Sequence, residues 1–440
     1  MTKQNVYIET YGCQMNEYDS QILAGILQKT EKYDIIDQPD EADFILINTC
    51  SVRENAETTI YNRLNHLKQY KKKKRNLIVG IIGCMAERMR KDIFAKSELV
   101  KIVIGPDEYR LAPEILQNSM AGNSGIAVRL SRVETYEDIE PLRKEGVSAW
   151  LAIMRGCNHF CSYCIVPYTR GRERSRSLKS ILEEIEKLQN DGFKEVTLLG
   201  QNVNSYYDDQ NKLNFPKLLR KVAETGSNMR IRFVTSHPLD MSDELIETVG
   251  EFDNICNYIH LPFQSGSNRI LNLMNRGYTR EHYLERISKI KSVLNEYSLT
   301  TDIISGFPTE TDDDHNQTLE LMRQVRFDGA FMFKYSPREG TKAYKLDDNI
   351  SEEVKVHRLN EIIELQSLIS REINKLEIGK TYEVLIEKPS KKKPHEWMGR
   401  TKLNKVVIFD NSDEKYKAGD LAYVSIKRSN SATLIGEVVV

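Results

Sequence analysis

Between residues 147 and 375 the sequence alternates six times between a short apolar run and an amphipathic helical pattern. This alternation limits the fold more than any other feature, because repeated βα units predict parallel strands that are covered by helices. Six repeats, instead of the eight of a complete barrel, predict an open (β/α)6 partial TIM barrel with its chemistry at the carboxyl ends of the strands. The predicted strands are 149–154, 195–199, 230–235, 258–261, 299–304 and 330–335.

Three cysteines follow the first of these strands with the spacing C-x3-C-x2-C, namely Cys157, Cys161 and Cys164. Three thiolates in one short loop can hold three irons of a cubane cluster and leave the fourth iron free for a chelating amine and carboxylate. The alternatives are a disulfide knot or a zinc site, but zinc usually takes four ligands in two pairs, and no second pair follows nearby. His159 lies inside the triplet, where the chain geometry is poor for a fourth ligand.

The composition predicts a cytoplasmic enzyme of about three domains. The chain has 440 residues, and 63 Lys+Arg nearly balance 64 Asp+Glu, so any nucleic-acid contact must come from local patches. The sequence starts without an apolar signal region, and no stretch approaches 18 apolar residues, so we expect no membrane span. In a reducing compartment, the seven cysteines are better suited to metal binding than to disulfides.

Residues 1–120 alternate short apolar strands with helical patterns, which predicts a parallel α/β sandwich. Cys13, Cys50 and Cys84 each follow the carboxyl end of a different predicted strand, and neighbouring parallel strands lie only about 4.8 Å apart. The three thiols are therefore predicted to meet in a second cluster site. The alternative is three core cysteines, but such residues should fall at random along strands, and Cys13 and Cys84 directly follow glycine. Cys256 fits neither set and is interpreted as a free structural thiol.

Polar residues follow the other predicted barrel strands, where the partial barrel would carry its chemistry. Each of them alone is better explained as a turn residue or a helix cap. Together with the cysteine loop they indicate a concave cofactor-binding site at the carboxyl ends of the strands, which we call the cofactor cup. The set comprises Gln201, Asn202, Asn204, Ser236, His237, Gln264, Ser265 and the run 306–310.

Residues 121–146 are predicted to be a linker, and residues 376–440 to form a small β-barrel, because short alternating strands are punctuated there by glycines. From Lys375 onward, 13 Lys+Arg stand against 9 Asp+Glu, which suits contact with a phosphate backbone. An ordinary solvated lysine loop is the alternative. The candidate RNA-binding residues are Lys391, Lys392, Lys393, Arg400 and Lys402.

The cysteine triplet, with the aromatic Tyr163 before its last cysteine, resembles the signature of the radical S-adenosylmethionine (SAM) family. The whole chain resembles a methylthiotransferase, a family that joins an amino-terminal three-cysteine domain, a radical SAM partial barrel and a carboxy-terminal RNA-binding barrel called TRAM. The runs 10–20, 154–173 and 199–206 are similar to the branch that modifies isopentenylated adenosine in tRNA. The branches for a ribosomal protein and for threonylcarbamoyl-adenosine usually carry Leu-Gly-Cys-Pro-Lys-Asn and Leu-Gly-Cys-Lys-Val-Asn instead of Tyr-Gly-Cys-Gln-Met-Asn.

This resemblance implies two [4Fe–4S] clusters and methylthiolation of carbon 2 of N6-isopentenyladenosine at position 37 of tRNA. It implies two SAM molecules, one as the radical source and one as the methyl donor, because that carbon bears an unactivated C–H bond. The base would have to be splayed out of the anticodon loop. The alternatives are a methylthiotransferase for threonylcarbamoyl-adenosine tRNA or a ribosomal protein, and a non-catalytic iron–sulfur RNA-binding sensor.

The resemblance also implies residue roles, with no catalytic residue beyond the cluster ligands. Gln201 and Asn202 fall where the SAM amino group is held, and Ser236 and Gln264 fall near its ribose or carboxylate. Tyr163 and the turn 304–308, which includes Ile304 and Gly306, fall near its adenine. The expected partners are the tRNA anticodon stem-loop and a low-potential electron donor such as a flavodoxin or ferredoxin. The protein is expected to be a monomer.

Overall fold

The computed structural model describes residues 3–51, 56–390, 393 and 395–439. The first domain is built on a six-stranded parallel sheet in the order β2-β1-β3-β4-β5-β6. Its strands are β1 Gln4–Tyr11, β2 Tyr33–Ile35, β3 Phe44–Thr49, β4 Ile78–Gly83, β5 Val100–Ile104 and β6 Gly125–Ala127. Its helices are α1 Gln14–Lys29, α2 Ala56–Lys73, α3 Cys84–Met89, α4 Asp92–Lys96 and α5 Ala112–Met120.

Every residue of β3 and β4 is buried, because apolar cores lie on both faces of the sheet. Strands that are buried on both sides carry continuous apolar runs, which is the pattern of these two segments. The predicted α/β sandwich is therefore confirmed.

The predicted linker starts with a strand that the sequence did not reveal. β6 pairs in parallel with β5 and becomes the edge of the first sheet. Farther along, the buried ring of Tyr136 stacks on Tyr109, and its hydroxyl accepts a hydrogen bond of 3.0 Å from the Tyr109 N–H. Much of the segment 121–146 is thus packed against the first domain.

The central domain contains six barrel strands in two parallel halves, β13-β10-β7 and β14-β15-β16. Its strands are β7 Ser148–Ala152, β8 Met154–Arg155, β9 Arg174–Ser175, β10 Glu195–Leu199, β11 Tyr207–Asp208, β12 Leu213–Asn214, β13 Arg230–Phe233, β14 Tyr258–His260, β15 Ser298–Ser305 and β16 Gly329–Lys334. Its helices are α6 Val166–Arg170, α7 Leu178–Asn190, α8 Phe215–Thr225, α9 Asp243–Glu251, α10 Asn268–Leu273, α11 Arg280–Val293, α12 Asp312–Val325 and α13 Glu352–Lys375. All six predicted barrel strands are present, and the partial barrel is confirmed.

The two halves of the barrel differ in what covers their inner faces. On the first half, Trp150 and Leu199 pack into the core of the first domain, and Trp150 Nε1 donates a hydrogen bond of 3.1 Å to Glu17 of α1. On the second half, Phe331 and Phe333 are 56% and 48% exposed. The first domain therefore closes one half of the barrel and leaves the other half open.

The third domain is a closed five-stranded barrel in the order β17-β18-β19-β21-β20, as predicted for a small β-barrel. Its strands are β17 Thr381–Pro389, β18 Glu396–Arg400, β19 Val406–Asp410, β20 Leu421–Ser429 and β21 Thr433–Val438. The run 397–409, which alternates like one strand, is a hairpin that turns at Asn404, a residue with φ +63°. Among the helices of the described part of the chain, none is long and apolar enough to cross a membrane.

Candidate functional site

The loop between β8 and α6 carries three cysteines, Cys157, Cys161 and Cys164. Gly156 begins this loop with φ +81°, and a Cβ there would lie 2.0 Å from the carbonyl oxygen of Arg172. Only glycine fits such a close approach of two backbone segments. The Gly156 N–H donates a hydrogen bond to Oε1 of Gln201, so Gln201 fixes the start of the loop.

The three thiols of this loop lie within electrostatic reach of one another. Burial, together with the charge of the neighbouring Cys161, raises the pKa of Cys157 and of Cys164 to about 12. The Cys161 sulfur accepts a hydrogen bond of 3.3 Å from Nη1 of Arg276. A bound metal would displace the thiol protons, since the thiolate is the ligand form. The donor set therefore fits a cluster held by three cysteines.

Five buried residues around this loop carry side-chain atoms without a hydrogen-bond partner among the residues described. They are Asn202 (Oδ1), Asn204 (Oδ1 and Nδ2), Ser236 (Oγ), His237 (Nε2) and Ser305 (Oγ). Buried polar groups are normally paired, and leaving one unsatisfied costs about 1–3 kcal/mol. All five residues lie at or beyond the carboxyl ends of β10, β13 and β15, and all of them except Ser305 belong to the predicted cofactor cup. These atoms fit a polar ligand such as SAM.

The remaining predicted SAM contacts form one wall of the same cup. The half-buried Ile304 and Tyr163 belong to one apolar cluster, so the structure brings these two predicted residues together. Gln264 is buried, has φ +65°, and accepts a hydrogen bond of 3.0 Å from the Ile304 N–H through its backbone carbonyl. Gly306 has φ +70°, and its N–H donates to a carboxylate at 2.8 Å. Their roles toward SAM stay predictions.

Two groups singled out in the sequence lie outside both cysteine sets. His159 Nε2 lies 2.5 Å from a carboxylate oxygen of Asp240, and its ring stacks on His237 with centroids 3.8 Å apart. The histidine inside the cysteine loop thus contacts a carboxylate and a second histidine. Cys256 is buried beside Arg232, which agrees with its interpretation as a structural thiol.

The second cysteine set follows three neighbouring strands of the first sheet, because Cys13, Cys50 and Cys84 come after β1, β3 and β4. Gly83 has φ +86°, and a Cβ there would lie 2.3 Å from Oδ1 of Asn48. The glycine therefore lets Cys84 follow its strand in a turn that a larger residue would block.

The second set of thiols also converges. A hydrogen bond with Cys50, helped by the charge of Arg170, lowers the pKa of Cys13 to about 6. Burial raises the pKa of Cys84. Next to Cys50, the buried hydroxyls of Thr49 and Ser51 have no partner within the part of the chain that the structure describes. Three convergent thiols beside unpartnered donors fit a second cluster with three protein ligands.

A buried network of arginines and aspartates, which sequence reasoning missed, joins the two sites. Asp19 of α1 accepts from Arg155 at 2.7 Å and from Arg170 at 2.8 Å. Asp107 accepts from Arg174 at 2.8 Å and lies 3.7 Å from Arg155. Buried charges are rare unless paired, and these pairs cross from the first domain to the central domain. The available signal was the density of arginines in residues 170–176, directly after the cysteine loop.

The open inner face of the second half-barrel carries aromatic rings. In the register of β15 and β16, Asp302 lies beside Phe331, and Ile304 lies beside Phe333. The ring of His260 on β14 packs edge-on against Phe331 at 5.7 Å. Since Ile304 and Tyr163 of the cysteine loop pack against the same apolar cluster, this aromatic face begins near the first cysteine site. Exposed aromatic side chains on a concave face fit a planar ligand.

The predicted RNA-binding residues of the third domain are not grouped as a free patch in the described part of the chain. Lys391 and Lys392 lie outside the described residues. Lys393 and Arg400 each pair with a glutamate of the same domain at 2.7 and 2.9 Å. Lys402 Nζ donates to a backbone carbonyl of the central domain at 3.0 Å. Arg400 and Lys402 thus have contacts within the protein, and RNA binding by this set stays a prediction.

Comparison with known proteins gives three family matches. The Radical SAM superfamily matches residues 151–322, the uncharacterized protein family UPF0004 matches residues 5–105, and the TRAM domain matches residues 375–439. The chain is 52% identical to the tRNA-2-methylthio-N(6)-dimethylallyladenosine synthase of Phocaeicola vulgatus, covering 99% of this chain and 96% of that protein. The enzyme of the same name from Chloroherpeton thalassium is also 52% identical, with the same coverage.

Among solved structures, the chain is similar to a radical S-adenosylmethionine methyltransferase from Kitasatospora setae with cobalamin and a [4Fe-4S] cluster bound. The TM-score is 0.57 at 14% identity, over 76% of this chain and 75% of that one. A cobalamin-dependent S-adenosylmethionine radical enzyme gives a TM-score of 0.53 at 13% identity, over 83% of this chain and 56% of that one. At these identities the likeness shows the fold alone.

Proposed function

The chain belongs to the radical SAM methylthiotransferase family, in its tRNA-2-methylthio-N(6)-dimethylallyladenosine synthase branch, and from this premise we propose its reaction. It adds a methylthio group to carbon 2 of N6-isopentenyladenosine at position 37 of tRNA. Two SAM molecules are consumed, one as the radical source and one as the methyl donor.

The observation that carries this proposal is the closeness of the two cysteine sets. Helix α6 begins two residues after Cys164, and its last residue, Arg170, donates a hydrogen bond to the sulfur of Cys84. Because α6 has five residues, it spans only about 7.5 Å at 1.5 Å per residue. A base held beside this helix can therefore meet both sites, which a reaction with separate radical and sulfur sources requires.

Cys157, Cys161 and Cys164 would hold an iron–sulfur cluster at the first site, and with SAM it would supply the radical chemistry for removing hydrogen from an unactivated carbon, which side-chain acids and bases cannot do. The protein holds and orients the reactants there. Gln201 fixes the loop, Arg276 donates to the Cys161 sulfur, and the unpartnered atoms of Asn202 and Ser236 are available to the polar groups of SAM.

At the second site, we assign Cys13, Cys50 and Cys84 as the ligands of a second [4Fe–4S] cluster. With three protein ligands, such a cluster would have an iron available to an added sulfur, and that sulfur would supply the methylthio group. The low pKa of Cys13, about 6, favours the thiolate that such a cluster requires.

The proposed entrance for the substrate is the open half of the barrel, because the first domain does not cover it. A base splayed out of the anticodon loop would lie along Phe331 and Phe333 and reach Tyr163 at the first site. Trp150 and the first domain close the opposite half. The anticodon stem-loop is thus the proposed partner, with the third domain contacting its backbone.

The test is an anaerobic reaction of the iron-loaded protein with SAM, a strong reductant and tRNA that carries N6-isopentenyladenosine. Mass spectrometry of the digested nucleosides should show 2-methylthio-N6-isopentenyladenosine and an equivalent amount of 5′-deoxyadenosine. Product only on threonylcarbamoyl-adenosine tRNA or on a ribosomal protein would assign the chain to another branch, and no 5′-deoxyadenosine would indicate a sensor. The low-potential electron donor and the monomeric state stay predictions.

A further inference from the structure

We propose that Arg170 of the central domain is a positioning residue of the second cysteine site in the first domain. Its guanidinium holds the Cys84 sulfur, donates to a second sulfur of the group bound there, and raises that group's reduction potential. This inference rests on the proposed function in one respect, namely that an iron–sulfur cluster occupies the site.

The contact itself is direct and buried. Nε of Arg170 donates a hydrogen bond of 3.2 Å to Sγ of Cys84. Nη2 of the same side chain donates to Asp19 at 2.8 Å, and this second bond fixes the plane of the guanidinium. Arginine presents its donors in a rigid fork, so two fixed edges also fix the direction of the third.

The third nitrogen points to a ligand. Nη1 of Arg170 is buried, and it has no hydrogen-bond partner among the described residues. Leaving a buried charged donor unpaired costs more than leaving a neutral one unpaired. A sulfur atom of a cluster bound to Cys84 is an acceptor of the kind that this donor lacks.

The local charge supports the same assignment. The network contains three buried arginines, Arg155, Arg170 and Arg174, against two buried aspartates, Asp19 and Asp107. One positive charge is therefore left over within this network, and a buried charge needs a partner of opposite sign. The thiolates of the second site supply that partner, and Arg170 is the member of the network that touches them.

Two consequences follow for the bound group. Hydrogen bonds and positive charge next to the sulfurs of a cluster raise its reduction potential, because they stabilise the reduced form, which is the more negative one. In addition, the donor comes from a different domain than the three cysteines, so the site is complete only when the two domains are docked.

The test uses the full chain with Cys157, Cys161 and Cys164 changed to Ala, so that only the second site can bind a cluster. In this background we compare Arg170→Gln and Arg170→Lys with Arg172→Gln, a matched control in the same arginine run whose side chain is exposed. The readouts are iron per chain and the midpoint potential from an electron paramagnetic resonance titration, neither of which needs tRNA.

We expect Arg172→Gln to match the parent. In the Arg170→Gln variant, the ratio of reduced to oxidised cluster at a fixed potential should fall at least tenfold, which corresponds to a 59 mV lower midpoint potential for one electron. Alternatively, this variant should lose its iron while circular dichroism shows that it is still folded. Arg170→Lys, which keeps the charge without the fork, should show a smaller shift in the same direction and serves as the measurement if the glutamine variant unfolds. An unchanged potential in the folded Arg170 variants would overturn this proposal alone. A parent that binds no iron would overturn the second cluster as well.

Discussion

Nη2 of Arg232, on the inner face of the central barrel, donates a hydrogen bond of 2.8 Å to the backbone carbonyl of Thr401 in the third domain. Its Nη1 donates to the next carbonyl along the chain, that of Lys402, at 2.9 Å, and Arg230 donates to the carbonyl of Arg400 at 2.7 Å. Arg230 is the first residue of β13, and Lys402 also donates to Asp253, which precedes β14, whereas both cysteine sites lie beyond the carboxyl ends of strands. The third domain is thus docked at the end of the barrel opposite to the chemistry.

Arg230→Gln is expected to loosen this docking. The variant loses the ion pair with Glu383 and the charge-assisted bonds to two carbonyls, which contribute about 1.5–3 kcal/mol each. Limited proteolysis should cut the connection near residue 379 at least about tenfold faster than in the parent. Arg220→Gln, at a pair on the barrel surface, is the control. Equal cutting rates in both variants would mean that other contacts hold the domain.

Glu87 is expected to make stability depend on pH. The side chain is buried in α3, and burial raises its pKa from 4.5 to about 7. The folded protein then binds the proton more tightly than the unfolded chain, so the stability given by the protonated form is lost as the pH rises from 4.5 to about 7. Relative to Glu87→Gln, the free energy of unfolding of the parent should fall by about 2 kcal/mol between roughly pH 5.5 and pH 8.

This pH effect can be measured by denaturant unfolding of the metal-free parent and of Glu87→Gln at both pH values. The glutamine variant is the matched control, because its amide has the shape of the protonated carboxyl group but does not titrate. A difference between the two proteins that stays constant with pH would show that Glu87 is already ionised in the folded state at the lower pH.

Phe331 and Phe333 are expected to act on the RNA substrate and not on SAM. Changing either to Ala removes a stacking surface that contributes about 1–3 kcal/mol per base, so the KM for tRNA should rise about tenfold or more. SAM cleavage without RNA should stay unchanged. Leu376→Ala, at another exposed apolar residue, just after the end of α13, is the control. A loss of SAM cleavage in the phenylalanine variants would instead place these rings at the SAM adenine.

The two cysteine sets are expected to be separable. Changing Cys13, Cys50 and Cys84 to Ala should leave about four irons per chain and SAM cleavage at the first site, but no methylthiolated product. The radical would then form without a sulfur to transfer. Iron analysis, 5′-deoxyadenosine and nucleoside mass spectrometry measure the three quantities. Methylthiolated tRNA from this variant would show that the sulfur comes from another source.

The sequence predicted the three folding units and the convergence of the cysteines, because both depend on local patterns. Alternation of strands and helices is visible along the chain, and parallel strands bring their carboxyl ends to one edge whatever the details of packing. The strand β6 was not predicted, because a segment of three residues, Gly125–Ala127, is too short and too weakly apolar to show a strand period.

The features that the sequence did not predict depend on contacts between distant segments. Arg170 and Cys84 are 86 positions apart, and no periodicity connects them. The run Gly329–Lys334 is apolar at every position from Ala330 to Phe333, so the pattern could not indicate which face meets the helices and which stays open. The resemblance predicts Gln201 near SAM, which stays a prediction, and it did not indicate that the Gln201 amide oxygen accepts a hydrogen bond from the cysteine loop.

The carboxylate of Asp19, shared by Arg155 and Arg170, has a consequence for how such chains can be recombined. A chimera that takes its first domain from one relative and its barrel from another inherits one side of the network from each parent. If either parent lacks its half, charges are buried without partners at the domain boundary, and the hybrid should fail in assembly before any catalytic step is reached. The first two domains are therefore expected to be exchanged only as a pair.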